Sequence, residues 1–145
     1  MTAIARRTCT LFVVLCLAAC SFVASYDETI DQQITAAVAK VDAWASDIRV
    51  AKPASATYAA SAKFYQELGL SLDAIEFRTQ RYDKNDNTLT QIVLIRRSVE
   101  RVRAVHESTG IILADEAEAF KRQMHDQFGL LLGWELAKKN RVGGL

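Results

Sequence analysis

Hydrophobic residues recur at steps of three and four along most of the chain after residue 25, which is the spacing that places side chains on one face of an α-helix. Four such stretches follow one another, separated by short polar or glycine-containing segments. An alternating pattern typical of β-strands does not extend over a useful length. The pattern therefore predicts an all-α fold, an up-down-up-down four-helix bundle.

The first two predicted helices are separated by Pro53, because the residue before a proline is disfavoured in a helix. Ser25 and Glu28 have the spacing of a capping box at the start of the first helix. The second helix is predicted over residues 58–82. The predicted inward positions of these helices are Ile30, Ile34, Val38 or Ala37, Val41, Trp44 or Ala45, Ile48, Tyr58, Ala62 or Ser61, Tyr65, Leu68, Leu72, Ile75, Thr79 and Tyr82.

A polar loop rich in turn-forming residues precedes the third predicted helix, for which Asn87 or Thr88, together with Gln91, can form the cap. Gly110 ends that helix, since glycine is common just past a helix end. The fourth helix is predicted over residues 112–139. The predicted inward positions here are Ile92, Ile95, Val99, Val102 and His106, with Leu89 and Val93 beside them, and then Leu113, Ala117, Phe120, Met124, Phe128, Leu131 and Trp134.

The first 20 residues have a different pattern. Arg6 and Arg7 precede an apolar run that ends in Leu17-Ala18-Ala19-Cys20, and this run is shorter than the ~20 residues needed to span a bilayer. The segment resembles the signal peptide and lipobox of bacterial lipoproteins. The resemblance implies that residues 1–19 are a cleaved signal peptide, that Cys20 is diacylated, and that residues 20–25 are an acylated tether to a helical domain over residues 26–145.

This resemblance also implies a location. Two or three acyl chains form a stable membrane anchor, whereas one chain binds only marginally. The sequence thus predicts a membrane-anchored protein that faces the periplasm. Ser21 after the cysteine resembles the signal for delivery to the outer membrane rather than retention at the inner membrane in Gram-negative lipoproteins.

Composition narrows the possible partners. Removal of the predicted signal peptide from the 145-residue chain leaves 16 basic against 17 acidic residues, so the charge is about −1 and no nucleic-acid partner is predicted. The arginines of the third helix could meet a polyanion, but glutamates four residues away favour a solvated face. Cys9 and Cys16 leave with the signal and Cys20 carries lipid. The folded domain therefore has no thiol for a disulfide, for catalysis or for a zinc site.

His106 is the main candidate for chemistry, because it falls on an inward position of the third helix. It could act as an acid, a base or a ligand, or be a core residue hydrogen-bonded to backbone. A nucleophile elbow, a glycine-rich phosphate loop and a metal-spaced cluster are all missing from the sequence. We therefore predict a non-enzymatic protein without catalytic residues, metal or cofactor. Arg78 and Glu135 flank inward positions and could form a buried ion pair.

The segment 129–134 is apolar on every side of its predicted helix, which favours a partner surface around Leu130 and Trp134, with deep burial as the alternative. Tyr26 and Asp27 form a second candidate contact, or a staple at the start of the first helix. The leading hypothesis is an envelope lipoprotein that binds or positions another protein. The alternatives are a small-ligand or metal carrier that uses His106, and a periplasmic inhibitor or immunity lipoprotein.

Beyond the lipobox, the chain resembles a group of small uncharacterised bacterial envelope lipoproteins. The positions that carry this resemblance are Cys20, Tyr26-Asp27 with Asp31, Phe64-Tyr65, Arg78, Asn87 with Thr88 and Gln91, His106 and Glu135. They are single positions spread over the predicted mature chain. The resemblance implies a helical lipoprotein and does not imply an activity.

Overall fold

The helices of this protein form the predicted bundle. A computed structural model describes residues 26–50 and 56–142, so the predicted signal peptide, Cys20, the tether and Pro53 lie outside the described residues. The helices are α1 (Glu28–Val50), α2 (Tyr58–Thr79), α3 (Asp86–Thr109) and α4 (Ala114–Val142). Each helix packs against the next one in the chain, and α4 returns to pack against α1. The prediction of an all-α, up-down-up-down four-helix bundle is confirmed.

The core consists of predicted inward positions from all four helices. Burying a large apolar side chain contributes about 1.5–3 kcal/mol, which makes these positions the main source of stability. The largest fully buried apolar side chains are Ile30, Ile34, Leu68, Leu72, Ile75, Ile92, Ile95, Met124, Phe128 and Leu131. Two polar side chains, His106 and Glu135, are buried as deeply as these.

Two helix starts differ from the prediction. The residue before α1 is Asp27, whose Oδ1 accepts a hydrogen bond from the Thr29 amide at 2.8 Å. It therefore acts as the cap; Ser25 of the predicted capping box lies outside the described residues. The cap of α3 is Asn85, so the prediction of Asn87 or Thr88 is wrong.

The inward positions of α4 also need correction near its ends. Leu113 and Trp134 were predicted to face the core, but they are 56% and 48% exposed. The steps of three and four that place Phe128 and Leu131 in the core continue to Glu135 and Lys138, which are both buried. The charged residues Glu135 and Lys138 therefore occupy the inward positions near the end of α4, where hydrophobicity alone favoured Trp134.

The bundle has two ends that differ in chemistry. We call the end with the start of α1, the α2–α3 loop and the end of α4 the proximal end, because the chain enters there. The opposite end is the distal end, where Gly110 ends α3 with a positive φ of 77°, as predicted. Two backbone hydrogen bonds, from Tyr58 N to Gly110 O and from Ile112 N to Ala56 O, join the chain segments at this end.

Candidate functional site

His106 lies at the distal end, 1% exposed, and both of its ring nitrogens are hydrogen-bonded. Nε2 lies 2.9 Å from the carbonyl oxygen of Ala56, and Nδ1 lies 3.0 Å from the hydroxyl of Tyr65. A carbonyl oxygen can only accept, so Nε2 carries the proton and donates it. In the neutral ring Nδ1 then accepts from Tyr65. A metal ion could bind His106 only by displacing one of these partners.

Aromatic rings pack against the Tyr65–His106 pair: the centroids of the Phe64 and Trp44 rings lie 5.1 and 5.9 Å from that of Tyr65. Trp44 stacks on Phe64 with ring centroids 4.5 Å apart and meets Phe120 edge-on at 5.6 Å. The indole Nε1 of Trp44 donates to Ser61 Oγ at 3.0 Å. Burial raises the pKa of the Tyr65 phenol well above its ordinary value, which keeps its hydrogen available for His106. Sequence reasoning missed Tyr65 as the histidine's partner, although both residues were predicted to face inward.

An open groove runs along the distal ends of α3 and α4. Its volume is about 650 Å³, within the ~300–1,000 Å³ typical of small-molecule sites. Most of the lining side chains are apolar. They include Val105, Ile112, Leu113 and Phe120, and the charged side chains on the lining are Arg101 and Glu116. The imidazole of His106 also forms part of the wall, but its ring nitrogens point to protein partners.

At the proximal end, Asp27 joins the start of α1 to the end of α2. Its Oδ2 accepts hydrogen bonds from Arg78 Nε at 2.5 Å and from the Tyr82 hydroxyl at 2.9 Å. Burial alone would raise the pKa of Asp27, but the hydrogen bonds from Arg78, the Thr29 amide and Tyr82 outweigh it and lower this pKa to about 2. The carboxylate is therefore ionised and tied to the fold.

A buried polar network lies beside it. Lys138 Nζ donates to Glu135 Oε1 at 2.5 Å, to Asn85 Oδ1 at 2.7 Å and to Thr88 Oγ1 at 3.3 Å. Thr88 in turn donates to Glu135 Oε1 at 3.3 Å. Glu135 is 0% exposed, and its Oε2 has no hydrogen-bond partner among the described residues. This network consists of residues from α3, α4 and the loop before α3.

The predicted burial of Glu135 in an ion pair is confirmed, but its predicted partner is wrong. Arg78 pairs with Asp27, and Lys138 takes its place beside Glu135. Sequence reasoning missed Lys138 and Asn85. The signal for Lys138 was present, because it continues the inward steps of three and four from Leu131.

Two of the predicted partner-contact residues lie on the surface. Leu130 is 60% exposed and Trp134 is 48% exposed, one helical turn apart on α4. Gln127, on the same side of α4, donates to Ser98 of α3 at 3.0 Å, so this side borders α3. Leu94, one turn before Ser98, is 41% exposed. We call Leu94, Leu130 and Trp134 the α3–α4 patch.

The side chains of the second predicted contact, Tyr26 and Asp27, are bonded mainly to other residues of the bundle. The Tyr26 hydroxyl donates to Asp31 Oδ2 at 3.0 Å, and Lys139 Nζ lies 5.2 Å from the centre of its ring. Asp27 is only 7% exposed. Its carboxylate is thus available to a partner only through loss of the bonds described above, and its role in a contact stays a prediction.

The arginines of α3 divide into two groups. Arg96 bonds Asp73 and Glu76 of α2 at 2.8 and 2.7 Å, rather than the glutamate four residues away on its own helix. Arg103 donates to the Tyr58 hydroxyl at 3.1 Å. Arg101 takes part in no ion pair with another described residue. This leaves Arg101 as an available cation on the groove wall.

Over 26–50 and 56–142, no three histidine, cysteine, aspartate or glutamate side chains are grouped so that they could hold a metal ion. Within these ranges no helix combines the length and apolar character needed to cross a membrane. Comparison of the chain with protein-family models, curated proteins and solved structures gave no match.

Proposed function

We propose that this protein is a membrane-anchored lipoprotein, acylated at Cys20 and facing the periplasm, whose helical bundle binds another protein through the α3–α4 patch. The observation that carries the binding proposal is the exposure of Leu130 and Trp134 on a helix whose core is complete without them. Tryptophan is the residue type most enriched among the energetically dominant contacts of protein interfaces. An exposed tryptophan beside two leucines is therefore well suited to a partner surface.

The buried titratable groups are bonded within the protein, which favours a binding function over catalysis. His106 uses both ring nitrogens within the protein, and Asp27 holds Arg78 and Tyr82. Glu135 and Lys138 neutralise each other inside the core. A catalytic acid or base must reach its substrate, whereas these groups bind the helices to one another.

The anchor would place the patch close to the bilayer. Tyr26 is six residues after Cys20, and an extended residue spans at most ~3.6 Å, so the tether reaches at most ~22 Å. The contact between Lys139 and Tyr26 puts the end of α4 at this proximal end. Trp134 lies five residues before Lys139. A partner on this patch would thus be held near the membrane surface.

A site-specific photo-crosslinker tests the surface. The residue p-benzoylphenylalanine replaces Leu130 or Trp134 in the full chain, and Phe77, which is 64% exposed on α2, serves as the control position. We expect one discrete adduct from positions 130 and 134, abolished by Leu94→Asp, and none from position 77. An adduct of twice the mass of the mature, acylated chain would identify a second copy as the partner. Equal adducts from all three positions would contradict a specific surface.

The anchor needs a separate test. Intact mass spectrometry of the protein purified from membranes should show a chain that begins at Cys20 and carries the mass of a diacylglyceryl group, and Cys20→Ala should abolish acylation. A chain that retains residues 1–19 with a free thiol would contradict the lipoprotein proposal and leave the surface proposal standing.

A further inference from the structure

We propose that the groove between the distal ends of α3 and α4 binds an amphiphile that has one acyl chain and an anionic head group. The groove does not overlap the α3–α4 patch, so this second site does not depend on the protein partner. Its lining separates an apolar stretch from a basic edge.

The apolar part fits a flexible chain. Ile112 and Phe120 are buried beneath it, 6% and 3% exposed, whereas Val105 and Leu113 remain 57% and 56% exposed at its edge. A ligand in the groove would remove these exposed side chains from water, which is the main source of favourable free energy for apolar binding. The volume of about 650 Å³ corresponds to a small molecule rather than to a protein surface.

The charged part fits an anion. Arg101 lines the groove and has no ion-pair partner among the described residues, whereas the carboxylate of Glu116, also on the lining, accepts a hydrogen bond from the Leu113 amide at 2.8 Å. Arginine forms strong charge-assisted hydrogen bonds with carboxylates and phosphates. Arg101 therefore supplies the head-group contact.

The order of these residues along α3 gives the ligand a direction. Arg101 lies toward the middle of the bundle, and Thr109, at the other end of the groove, is eight residues further along α3, or about 12 Å at 1.5 Å per residue. Beyond it lie Ile111 and Leu113 at the distal tip. The head group would thus lie at mid-bundle and the chain would point toward the tip.

A photoactivatable fatty acid with an alkyne tag tests this site in cells that express the full chain. After irradiation, trypsin gives three informative peptides: 104–121, which contains most of the groove lining, 123–138, which contains Leu130 and Trp134 of the α3–α4 patch and only Gln123 of the groove lining, and 20–40 from the anchor. We expect photo-adducts on 104–121 and few on 123–138. The adduct mass tells whether the ligand is the free fatty acid, with a carboxylate, or a phospholipid that has a single acyl chain, with a phosphate.

Two variants and a control sharpen this test. Val105→Asp and Arg101→Glu should each lower the adduct on 104–121 about tenfold, because one places a charge in the apolar groove and the other repels the head group. Leu70→Asp, at a 60% exposed position on α2, should leave it unchanged. Circular dichroism checks that each variant is folded.

The outcomes separate this inference from the proposed anchor. Acylation of peptide 20–40 without an adduct on 104–121 would overturn the groove site and leave the anchor. An adduct on 104–121 without acylation of 20–40 would support the groove site and overturn the anchor. Equal labelling of 104–121 and 123–138 would show binding to any apolar surface and would also overturn the groove site.

Discussion

The two ends of the bundle complete one apolar core with different chemistry. At the distal end, aromatic rings surround a hydrogen-bonded pair, Tyr65 and His106. The proximal end contains a buried ion pair, Glu135 with Lys138, and a second ion pair, Asp27 with Arg78. Because a buried neutral pair loses less hydration than a buried charged pair, the two ends depend differently on their partners.

The two ends also differ in how strictly their contacts define the arrangement of the helices. Aromatic packing contributes free energy in proportion to the area buried, but it discriminates weakly between alternative arrangements. The buried polar network at the proximal end contains residues from the α2–α3 loop, from α3 and from the end of α4, and Asn85 also donates to the Thr79 carbonyl of α2. Each of its polar atoms can bond only to a partner of matching donor or acceptor type. Such networks can define helix register at a cost in stability, which we state here as a hypothesis for this protein.

Substitution of Lys138 should give the largest effect. Lys138→Met leaves Glu135 buried without its cation, and breaking a buried pair in this way costs about 3–5 kcal/mol of unfolding free energy. Urea unfolding followed by circular dichroism would measure the loss. The loss of stability should come from the desolvated Glu135 carboxylate rather than from the missing contacts of the lysine.

The double variant Glu135→Leu with Lys138→Met provides the matched control. With both charges removed, stability should return to the wild-type value or exceed it, since apolar replacements of buried ion pairs are often neutral or stabilising. A double variant as unstable as the single one would show that the lysine stabilises the fold by packing alone.

His106 should give the next largest effect, at the other end. His106→Ala leaves the Tyr65 hydroxyl and the Ala56 carbonyl without their partner and opens a cavity, for a predicted cost of about 3 kcal/mol. The measurement is again urea unfolding. Tyr65→Phe removes only one hydrogen bond and should cost about 1 kcal/mol. If His106→Ala were as stable as the wild type, the histidine would not be structural, and its use as a ligand would gain support.

Much of the fold follows from the sequence, because periodicity alone identifies the buried face of each helix. It places Ile92 and Phe128 in the core correctly. The prediction fails for Trp134, because it gave the apolar character of this side chain more weight than the steps of three and four, which assign the inward position to Glu135. It also fails for the cap of α3, since Asn85 uses its side chain to bond Lys138 and the Thr79 carbonyl.

The candidate sites follow less readily from the sequence. Asp27 and Arg78 are 51 residues apart, and only the packed bundle makes them neighbours. The groove depends on the separation between α3 and α4, which a linear pattern does not encode. By contrast, the exposure of Leu130 and Trp134 has a signal in the sequence, because segment 129–134 has more apolar residues than one helix face can bury.

The smallest effect should come from Asp27, and it should depend on pH. The pKa of this carboxyl is about 2 in the folded protein against 3.8 for an ordinary aspartate, so the folded state favours the ionised form. The stabilisation is therefore fully present above about pH 4 and is lost as the pH falls through 2. Arg78 is 40% exposed, and solvent screening limits the contribution to about 1 kcal/mol.

Asp27→Asn isolates this contribution. The wild type should be about 1 kcal/mol more stable than the variant at pH 5, and the difference should shrink at pH 2, where about half of the Asp27 carboxyls are protonated in the folded protein. Asp42→Asn, which alters a surface contact with His125, should change stability by less than about 0.5 kcal/mol. A difference between wild type and Asp27→Asn that is the same at both pH values would mean that Asp27 acts as a helix cap, which an asparagine can replace in part, rather than through its charge. The proximal end would then depend on charge only through Glu135 and Lys138.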